Sequence, residues 1–181
     1  MTPKICLTAS ALLIHQNKVL LIKHKKLNLW LGPGGHIDEG ESPHQAAERE
    51  FLEETGLQVQ VYNPSSDSLC ASSDETNLFH HLPIAINEHW VCQENYQMRL
   101  AAASNHTNFS PVPMWKKGCE KHFNFTYLAR LLGPLQISPQ PGESQLIEWF
   151  SLSDLQGKYR AELASSILKE ATRAFELAKP D

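Results

Sequence analysis

The chain has 181 residues, a formal net charge of −4 and an isoelectric point near 6.1. This length suits one domain that buries its own hydrophobic core, and the negative charge argues against a protein that holds long nucleic acid through its phosphates. The expected partner is a small charged molecule, and the sequence leaves open whether the chain forms a homodimer.

The N-terminal segment has neither the pattern of a membrane anchor nor that of a secretory signal. Its longest apolar run, residues 5–14, is interrupted by Thr8 and Ser10 and is too short to span a bilayer. We therefore expect a cytoplasmic protein that makes no membrane contact. Cysteines are usually free thiols in a reducing compartment. We predict that state for the four in the chain, Cys6, Cys70, Cys92 and Cys119.

The first predicted element is a β-hairpin. Residues 7–14 and 18–23 are two β-rich runs, and Gln16-Asn17 lies between them as the turn.

A helix is predicted over residues 43–55. Ser42 is a good N-cap, Pro43 suits the first helical position, and Gln45 completes a capping box with Ser42. Gly56 is placed to end the helix in a left-handed conformation.

Three glutamates, Glu50, Glu53 and Glu54, share one face of this helix. Their mutual repulsion would destabilise an isolated helix, so we expect something to neutralise them. Oxygen ligands without a histidine or cysteine on that face suit a hard cation, Mg²⁺ or Mn²⁺, which shares its coordination shell with substrate phosphate. The alternative is a solvated acidic helix, although such a helix needs no fixed spacing.

The residues around these glutamates fit the same interpretation. Arg49 lies one turn before Glu53 and can hold a carboxylate through paired hydrogen bonds, so it is a candidate for orienting the site. Upstream, the turn at residues 32–35 contains Gly34 and Gly35, which let the backbone approach a ligand closely. A backbone carbonyl in this turn is a candidate metal ligand.

The run from residue 35 to residue 57 resembles the Nudix box. That motif is a glycine, five residues, a glutamate, seven residues, then Arg-Glu-apolar-x-Glu-Glu-x-Gly-apolar. The matching residues, with no departure, are Gly35, Glu41, Arg49, Glu50, Phe51, Glu53, Glu54, Gly56 and Leu57. The number of fixed positions makes a chance match very improbable.

The resemblance implies an α/β/α sandwich with a mixed β-sheet, and metal-dependent hydrolysis of a nucleoside diphosphate linked to another group. It implies that Glu50 and Glu54 are the principal metal ligands, with the Gly34 carbonyl as an additional candidate. By the same resemblance Glu53 is a further ligand or the base, and Glu41 is an outer-shell group. A non-catalytic nucleotide-binding or regulatory module on the same fold is the alternative, because fold does not determine function.

The rest of the chain predicts further strands and a second helix. Strands are predicted at 58–62, 82–86, 123–132 and about 146–150, a loop at 63–77, a turn at 139–142 and an amphipathic helix at 161–178. The stretch 88–121 is long and irregular for a connection between core strands. We predict that it is an insertion or lid within a single Nudix domain of residues 1–181.

His89, Cys92, Cys119 and His122 bracket this insertion as two pairs with two residues between the members of each pair. That spacing suits a structural zinc site. The alternative is four unrelated residues near strand ends, because residues three apart on a strand point to opposite faces.

Candidate substrate contacts are Trp30, Gly34, Gly35, His36 and Glu41. Trp30 precedes the glycine turn and could stack on a base, as could Trp115, although a core position is the commoner place for an aromatic residue. His36 could contact phosphate or lie exposed in the turn. Residues 72–75 lack the proline and tyrosine that mark some Nudix subgroups, so the nucleotide derivative that is cleaved stays open.

The general base is predicted to be Glu53 within the box, with Glu143 after the turn at 139–142 as the second candidate and Glu148 as the third. A base must reach the attacking water. A glutamate engaged by a metal or by Arg49 has a lowered proton affinity, which weakens the case for Glu53. The alternative for Glu143 and Glu148 is ordinary surface charge.

Overall fold

The computed structural model describes residues 1–64, 69–71, 79–115 and 117–178, with the backbone alone at 69–71 and 79–80. The strands in this part of the chain are β1 (Ile5–His15), β2 (Lys18–Lys23), β3 (Trp30–Leu31), β4 (Gly34–His36), β5 (Val59–Val61), β6 (Leu69–Ala71), β7 (Phe79–His81), β8 (Ala85–Trp90), β9 (Lys121–Leu131) and β10 (Ile147–Phe150). The α-helices are α1 (Pro43–Thr55), α2 (Gln93–Ser104), α3 (Leu152–Gln156) and α4 (Ile167–Leu177), and there are 3₁₀ turns at Pro113–Trp115 and Arg160–Glu162.

The main sheet is mixed, as predicted. Its strand order is β10-β2-β1-β9-β5, with β3 beside β2, β4 beside β1 and β8 beside β9. Strands β1 and β9 run parallel, whereas the other recorded pairs are antiparallel. Strands β6 and β7 form a separate antiparallel pair.

The alternation of side chains along β1 divides the core into two layers. Ala9, Ala11 and Leu13 belong to the cluster that contains Phe51 of α1. Leu12 belongs to the other cluster, together with residues of α4. Because successive residues of a strand point to opposite faces, α1 covers one face of the sheet and α4 covers the other. This arrangement is the predicted α/β/α sandwich.

The local elements agree closely with the sequence. Gln16 and Asn17 have positive φ values of 46° and 56°, as a tight hairpin turn requires. Helix α1 has the predicted bounds, the Gln45 side chain accepts the Ser42 backbone N–H at 3.0 Å, and Gly56 ends the helix at a φ of 75°. The predicted strands at 58–62, 123–132 and 146–150 correspond to β5, β9 and β10.

Three predicted elements need correction. The predicted strand at 82–86 is displaced, because β8 begins at Ala85 and continues to Trp90. The loop predicted at 63–77 contains β6, although most of that stretch lies outside the described residues. The C-terminal helix begins at Ile167 instead of 161 because residues before it pair with β3, where the Ala164 N–H donates to the Trp30 carbonyl at 3.0 Å.

The predicted insertion at 88–121 contains a helix, α2, that the sequence analysis missed. Asn95 on α2 is fully buried, and its Oδ1 accepts the Val112 N–H at 2.9 Å. Arg99 donates from Nε to Glu120 Oε1 at 2.5 Å, and the Lys4 N–H donates to Glu120 Oε2 at 2.7 Å. Buried polar contacts therefore hold α2, which is why an apolar periodicity does not reveal it. None of the described helices is long and apolar enough to cross a membrane.

Candidate active site

The glycine turn before α1 packs directly against the carboxylates of that helix. The Gly34 N–H donates a hydrogen bond to Glu54 Oε2 at 2.8 Å. A Cβ atom on Gly35 would overlap the Glu50 carboxylate, and one on Gly34 would lie 2.6 Å from the Cα of Ser10 on β1. Only glycine fits at both positions, because the turn is held between the sheet and the helix.

Arg49 is the hydrogen-bonding centre of the carboxylate cluster. Its Nε and Nη2 atoms donate to the two oxygens of Glu41 at 2.9 Å each. Its Nη1 donates to Glu50 Oε1 at 2.8 Å and to Glu53 Oε2 at 3.3 Å. Nη2 also donates to the His36 carbonyl at 3.0 Å. One guanidinium thus fixes three carboxylates relative to β4.

Burial controls the protonation of the two innermost carboxyl groups. Desolvation raises the pKa of Glu54 to about 8, against a partial opposing effect of the Gly34 N–H, and the charge of Glu143 adds to the increase. Desolvation also raises the pKa of Glu50, although Arg49 opposes this shift. Both groups are therefore harder to ionise than an exposed glutamate.

The cluster has the chemistry of a site for a hard divalent cation. Arg49 reaches Glu50, but the hydrogen bond to Glu54 comes from a neutral backbone N–H. When both carboxyl groups are ionised, the protein compensates only part of their negative charge. All of the side-chain donors are oxygens, with the Gly34 carbonyl in the adjoining turn, and this donor set fits Mg²⁺ or Mn²⁺.

The two distal candidates for the base lie in different surroundings. The Glu143 carboxylate contributes to the raised pKa of Glu54, so it lies within electrostatic range of the cluster. Its loop is attached to α1, because the Gln140 N–H donates to the Glu53 carbonyl at 2.9 Å. Glu148 is exposed on β10 and is not among the causes that shift the pKa of Glu54.

A pocket of about 490 Å³ opens beside the glycine turn. Gly34 and Gly35 form part of its wall, and the same two glycines contact Glu54 and Glu50. The pocket therefore adjoins the carboxylate cluster across a single turn. Its volume lies in the range of small-molecule and cofactor sites.

Part of the pocket wall is a polar network on the sheet face below α4. Asn124 donates from Nδ2 to Ser10 Oγ at 3.0 Å, and its Oδ1 accepts from the Thr8 hydroxyl at 3.0 Å. Asn87 donates to Glu170 Oε1 at 2.6 Å. Amides and hydroxyls of this kind can both donate and accept, so they suit the polar edge of a heteroaromatic ring.

The two candidate stacking tryptophans differ in position. Trp30 is 4% exposed and packs edge-on against Phe150 with ring centroids 4.9 Å apart. It is not among the described residues that line the pocket. Trp115 does line the pocket and stacks against His24 at 6.4 Å with an interplanar angle of 18°. Trp115 is therefore better placed than Trp30 to stack on a ligand.

Among the other predicted substrate contacts, Gly34 and Gly35 line the pocket, whereas His36 and Glu41 are not among its described wall residues. The His36 Nε2 atom lies 3.2 Å from the sulfur of Cys119. Glu41 is paired with Arg49, whose hydrogen bonds hold its pKa below the ordinary value. Both side chains are thus engaged within the protein.

The proposed zinc quartet is not assembled among the described residues. Cys92 is a buried free thiol that caps α2, where its sulfur accepts the Asn95 N–H at 3.3 Å. Cys119 instead forms a disulfide with Cys6.

The free-thiol prediction is therefore wrong for Cys6 and Cys119 and confirmed for Cys92, while the Cys70 side chain lies outside the described residues. Parallel pairing of β1 and β9 brings together Cys6 and Cys119, which are 113 residues apart. Spacing along the chain does not reveal such a contact.

The polar wall of the pocket was not predicted from the sequence. The available signal was the alternation of polar residues within otherwise apolar strands, Thr8 and Ser10 on β1 and Asn124 and Thr126 on β9. Polar residues at every second position on a central strand mark a face that the core does not fill.

The raised pKa of Glu54 makes a prediction for the metal-free protein. The pKa of Glu54 in the folded protein, about 8, lies above the ordinary value of 4.5. The neutral carboxyl group therefore contributes its full stability below pH 4.5, and this contribution is lost as the pH rises through 8. Glu54→Gln stays neutral. Its melting temperature in EDTA should therefore exceed that of the wild type by a margin that grows across this interval and then levels off.

Thermal melts in EDTA across this pH interval measure the effect, with Glu148→Gln on the exposed part of β10 as the matched control. Added Mg²⁺ should then stabilise the wild type more than Glu54→Gln. A margin that does not change with pH would contradict the burial of this carboxyl group.

Comparison with known proteins agrees with this geometry. A family model of the NUDIX domain matches residues 5–171. A protein of Bacillus subtilis (strain 168), provisionally named 8-oxo-dGTP diphosphatase, is 51% identical over 44 residues, which are 24% of this chain and only 30% of that protein.

Solved structures match over almost the whole chain. A NUDIX-family hydrolase from Clostridium perfringens is 26% identical with a TM-score of 0.59, covering 99% of this chain and 100% of that one. An ADP-ribose pyrophosphatase from Streptococcus suis 89-1591 shares the fold, with 22% identity, a TM-score of 0.55, and coverage of 99% of this chain and 95% of that one. Since the family model covers most of the sequence, the chain belongs to the NUDIX hydrolase family.

Proposed function

We propose that this protein is a pyrophosphohydrolase that uses Mg²⁺ or Mn²⁺ to cleave the diphosphate linkage of a nucleoside diphosphate derivative. The observation that carries the proposal is the cluster of Glu50 and Glu54 against a glycine turn whose other side lines a pocket. A nucleoside in that pocket would extend its diphosphate over Gly34 and Gly35 toward the carboxylates.

Different residues are proposed to bind the cation and to orient the carboxylates near the reacting phosphorus. Glu50, Glu54 and the Gly34 carbonyl would hold the cation, with Glu53 as a further ligand if it is not the base. When bound, the cation lowers the pKa of the attacking water and neutralises charge on the bridging oxygens. Arg49 keeps Glu50 and Glu53 in fixed orientations through its hydrogen bonds.

The nucleoside part of the substrate is proposed to occupy the pocket wall formed by Trp115 and the polar network. An aromatic face can stack on any base, while Asn87 and Asn124 offer amide groups to its edge. The names of two similar proteins, an 8-oxo-dGTP diphosphatase and an ADP-ribose pyrophosphatase, each specify a nucleotide substrate. They support the substrate class without selecting one member.

The proposal predicts that turnover depends on the metal and on Glu54. Purified protein should release phosphate or nucleoside monophosphate from at least one class among nucleoside triphosphates, nucleotide sugars, ADP-ribose, dinucleoside polyphosphates and coenzymes, and EDTA should abolish the release. Glu54→Gln should lower kcat/KM by about 10²-fold or more, because a principal ligand is lost. The exposed variant Glu148→Gln is the control.

A non-catalytic nucleotide-binding module is the competing function. It predicts nucleotide binding by calorimetry without product after long incubation with Mg²⁺ or Mn²⁺. Turnover by Glu54→Gln at the wild-type rate would instead show that Glu54 is not a principal metal ligand. It would not affect the proposed role of the pocket.

For the general base we keep Glu53 first and Glu143 second. Glu53 projects from the metal-binding face of α1 and is 35% exposed, which leaves it accessible to water, although Arg49 contacts it. Glu143 belongs to a loop attached to the end of α1 and acts electrostatically on Glu54. Both carboxyl groups lie near the cluster, and the one that acts as base must reach the attacking water.

The pH dependence of kcat should identify the base. At saturating Mg²⁺, the base variant among Glu53→Gln and Glu143→Gln should lose about 10²- to 10⁴-fold in kcat and should also lose the acidic limb of the profile. Glu148→Gln provides the matched comparison. If extra metal restores Glu53→Gln, then Glu53 is a ligand and Glu143 becomes the proposed base.

The stretch 88–121 is proposed to set substrate specificity through Trp115. Replacing Trp115 with alanine should raise KM by about tenfold to a hundredfold, because stacking on one base is worth about 1–3 kcal/mol. The ranking of purine and pyrimidine derivatives should change while the Mg²⁺ requirement stays the same. Met114→Ala is the control, since the Met114 side chain is next to Trp115 in the sequence but is exposed and outside the described pocket wall. An unchanged ranking would show that the insertion does not read the base.

A further inference from the structure

A second group of metal-binding residue types lies on the sheet, separate from the carboxylates of α1. In the register of the sheet, Cys6 on β1 is opposite His122 on β9, and His122 is opposite His89 on β8. Residues that are opposite each other project from the same face. His36 on β4 is opposite Thr8, two residues beyond Cys6 and therefore on that face as well.

The ligand atoms of Cys6 and His36 lie close to the sulfur of a further residue, Cys119. The Cys6 and Cys119 sulfurs form the disulfide, and the His36 Nε2 lies 3.2 Å from the Cys119 sulfur. The ligand atoms of Cys6, His36 and Cys119 all lie within 4.8 Å of one another, and Cys119 is buried. The Cα atoms of the two cysteines are 5.8 Å apart.

A fourth candidate ligand is adjacent to the three. The His122 ring lies 5.0 Å from the His36 ring, centroid to centroid, in an edge-to-face arrangement. Its Nε2 is buried and has no hydrogen-bond partner within the described part of the chain. A buried ring nitrogen without a partner is unfavourable unless something binds it.

We propose that Cys6, Cys119 and His36, with His122 in the fourth position, form a site for Zn²⁺ when the Cys6–Cys119 disulfide is reduced. Two thiolates and two imidazoles are a common donor set of structural zinc sites. Hard cations such as Mg²⁺ prefer oxygen, so this set also discriminates against the cation that we assign to α1.

The site forms only after a reductant cleaves the Cys6–Cys119 disulfide. A phosphine reduces the disulfide with water, giving two thiols and the phosphine oxide. Binding of Zn²⁺ then displaces the two thiol protons to solvent. With Zn–S distances of about 2.3 Å and tetrahedral angles, the two sulfurs would lie about 3.8 Å apart.

The site would join three segments that meet at one end of the sheet. Cys6 lies near the start of β1, His36 ends β4 and Cys119 precedes β9. The carbonyl of His36 accepts a hydrogen bond from Arg49 at 3.0 Å. An ion held here would therefore fix the end of β4 from the side opposite to the carboxylate cluster.

The experiment uses Co²⁺ as a spectroscopic substitute for Zn²⁺. Protein reduced with the phosphine and then freed of it under anaerobic conditions is titrated with Co²⁺, and its absorption is compared with that of the oxidised protein. We expect one equivalent of Co²⁺ to give a thiolate-to-cobalt charge-transfer band and intense visible bands of tetrahedral cobalt in the reduced protein alone. Added Zn²⁺ should displace both.

Variants separate this site from the carboxylate cluster. Cys6→Ser and Cys119→Ser should weaken Co²⁺ binding by at least about tenfold and reduce the charge-transfer band, and His36→Asn should weaken binding while the band persists. Cys92→Ser is the matched cysteine control and Glu54→Gln the control for the oxygen site, and both should keep the spectrum. The absence of a thiolate band in reduced wild-type protein, or its survival at full intensity in Cys6→Ser, would overturn the proposal.

Discussion

The close approach of the glycine turn to α1 is the constraint on which the rest of the site depends. Gly34 is held against Ser10 of β1 on one side and donates to Glu54 on the other, and Gly35 leaves the room that the Glu50 carboxylate occupies. A side chain at either glycine would separate the helix from the sheet. The same contact removes two carboxyl groups from water and thereby raises their pKa values. The packing of the turn and the raised pKa values of Glu50 and Glu54 therefore have one origin.

The sheet separates the core from the pocket, because successive residues of each strand point to opposite faces. One face of β1 carries Ala9, Ala11 and Leu13, which pack in the cluster that contains Phe51 of α1. The other face carries Leu12 and Ile14, which pack in the cluster that contains residues of α4, and Thr8 and Ser10 where the pocket opens. Strand β9 follows the same rule with Leu128 and Asn124. The two parallel strands thus position a polar wall without interrupting the hydrophobic core.

Features that depend on neighbouring residues were predictable from the sequence. The bounds of α1 follow from Ser42 and Gly56, and the hairpin turn follows from Gln16-Asn17. Contacts between distant segments were not predictable. The Cys6–Cys119 disulfide depends on which strands become neighbours, and the burial of Trp30 depends on Phe150, 120 positions later in the chain.

Helix α2 shows a different limit. A helix is found from its sequence when an apolar stripe alternates with polar residues at the helical period. Helix α2 buries the amide of Asn95 and binds Glu120 through Arg99, so its attachment is polar. No hydrophobic pattern records such contacts. The box, by contrast, was informative because its glutamates and Arg49 lie close together in the sequence, on α1 and in the segment just before it.

Strand β4 connects the two donor sets that we assign to different cations. It has three residues, Gly34–His36, so its ends are separated by about 7 Å at 3.3 Å per residue. The Gly34 end adjoins the carboxyl oxygens of α1, and the His36 end adjoins the sulfurs of Cys6 and Cys119. At so short a separation, distance alone would not keep two cations in their own sites. The hardness of the donors can do so, because oxygen ligands favour Mg²⁺ and thiolate and imidazole ligands favour Zn²⁺.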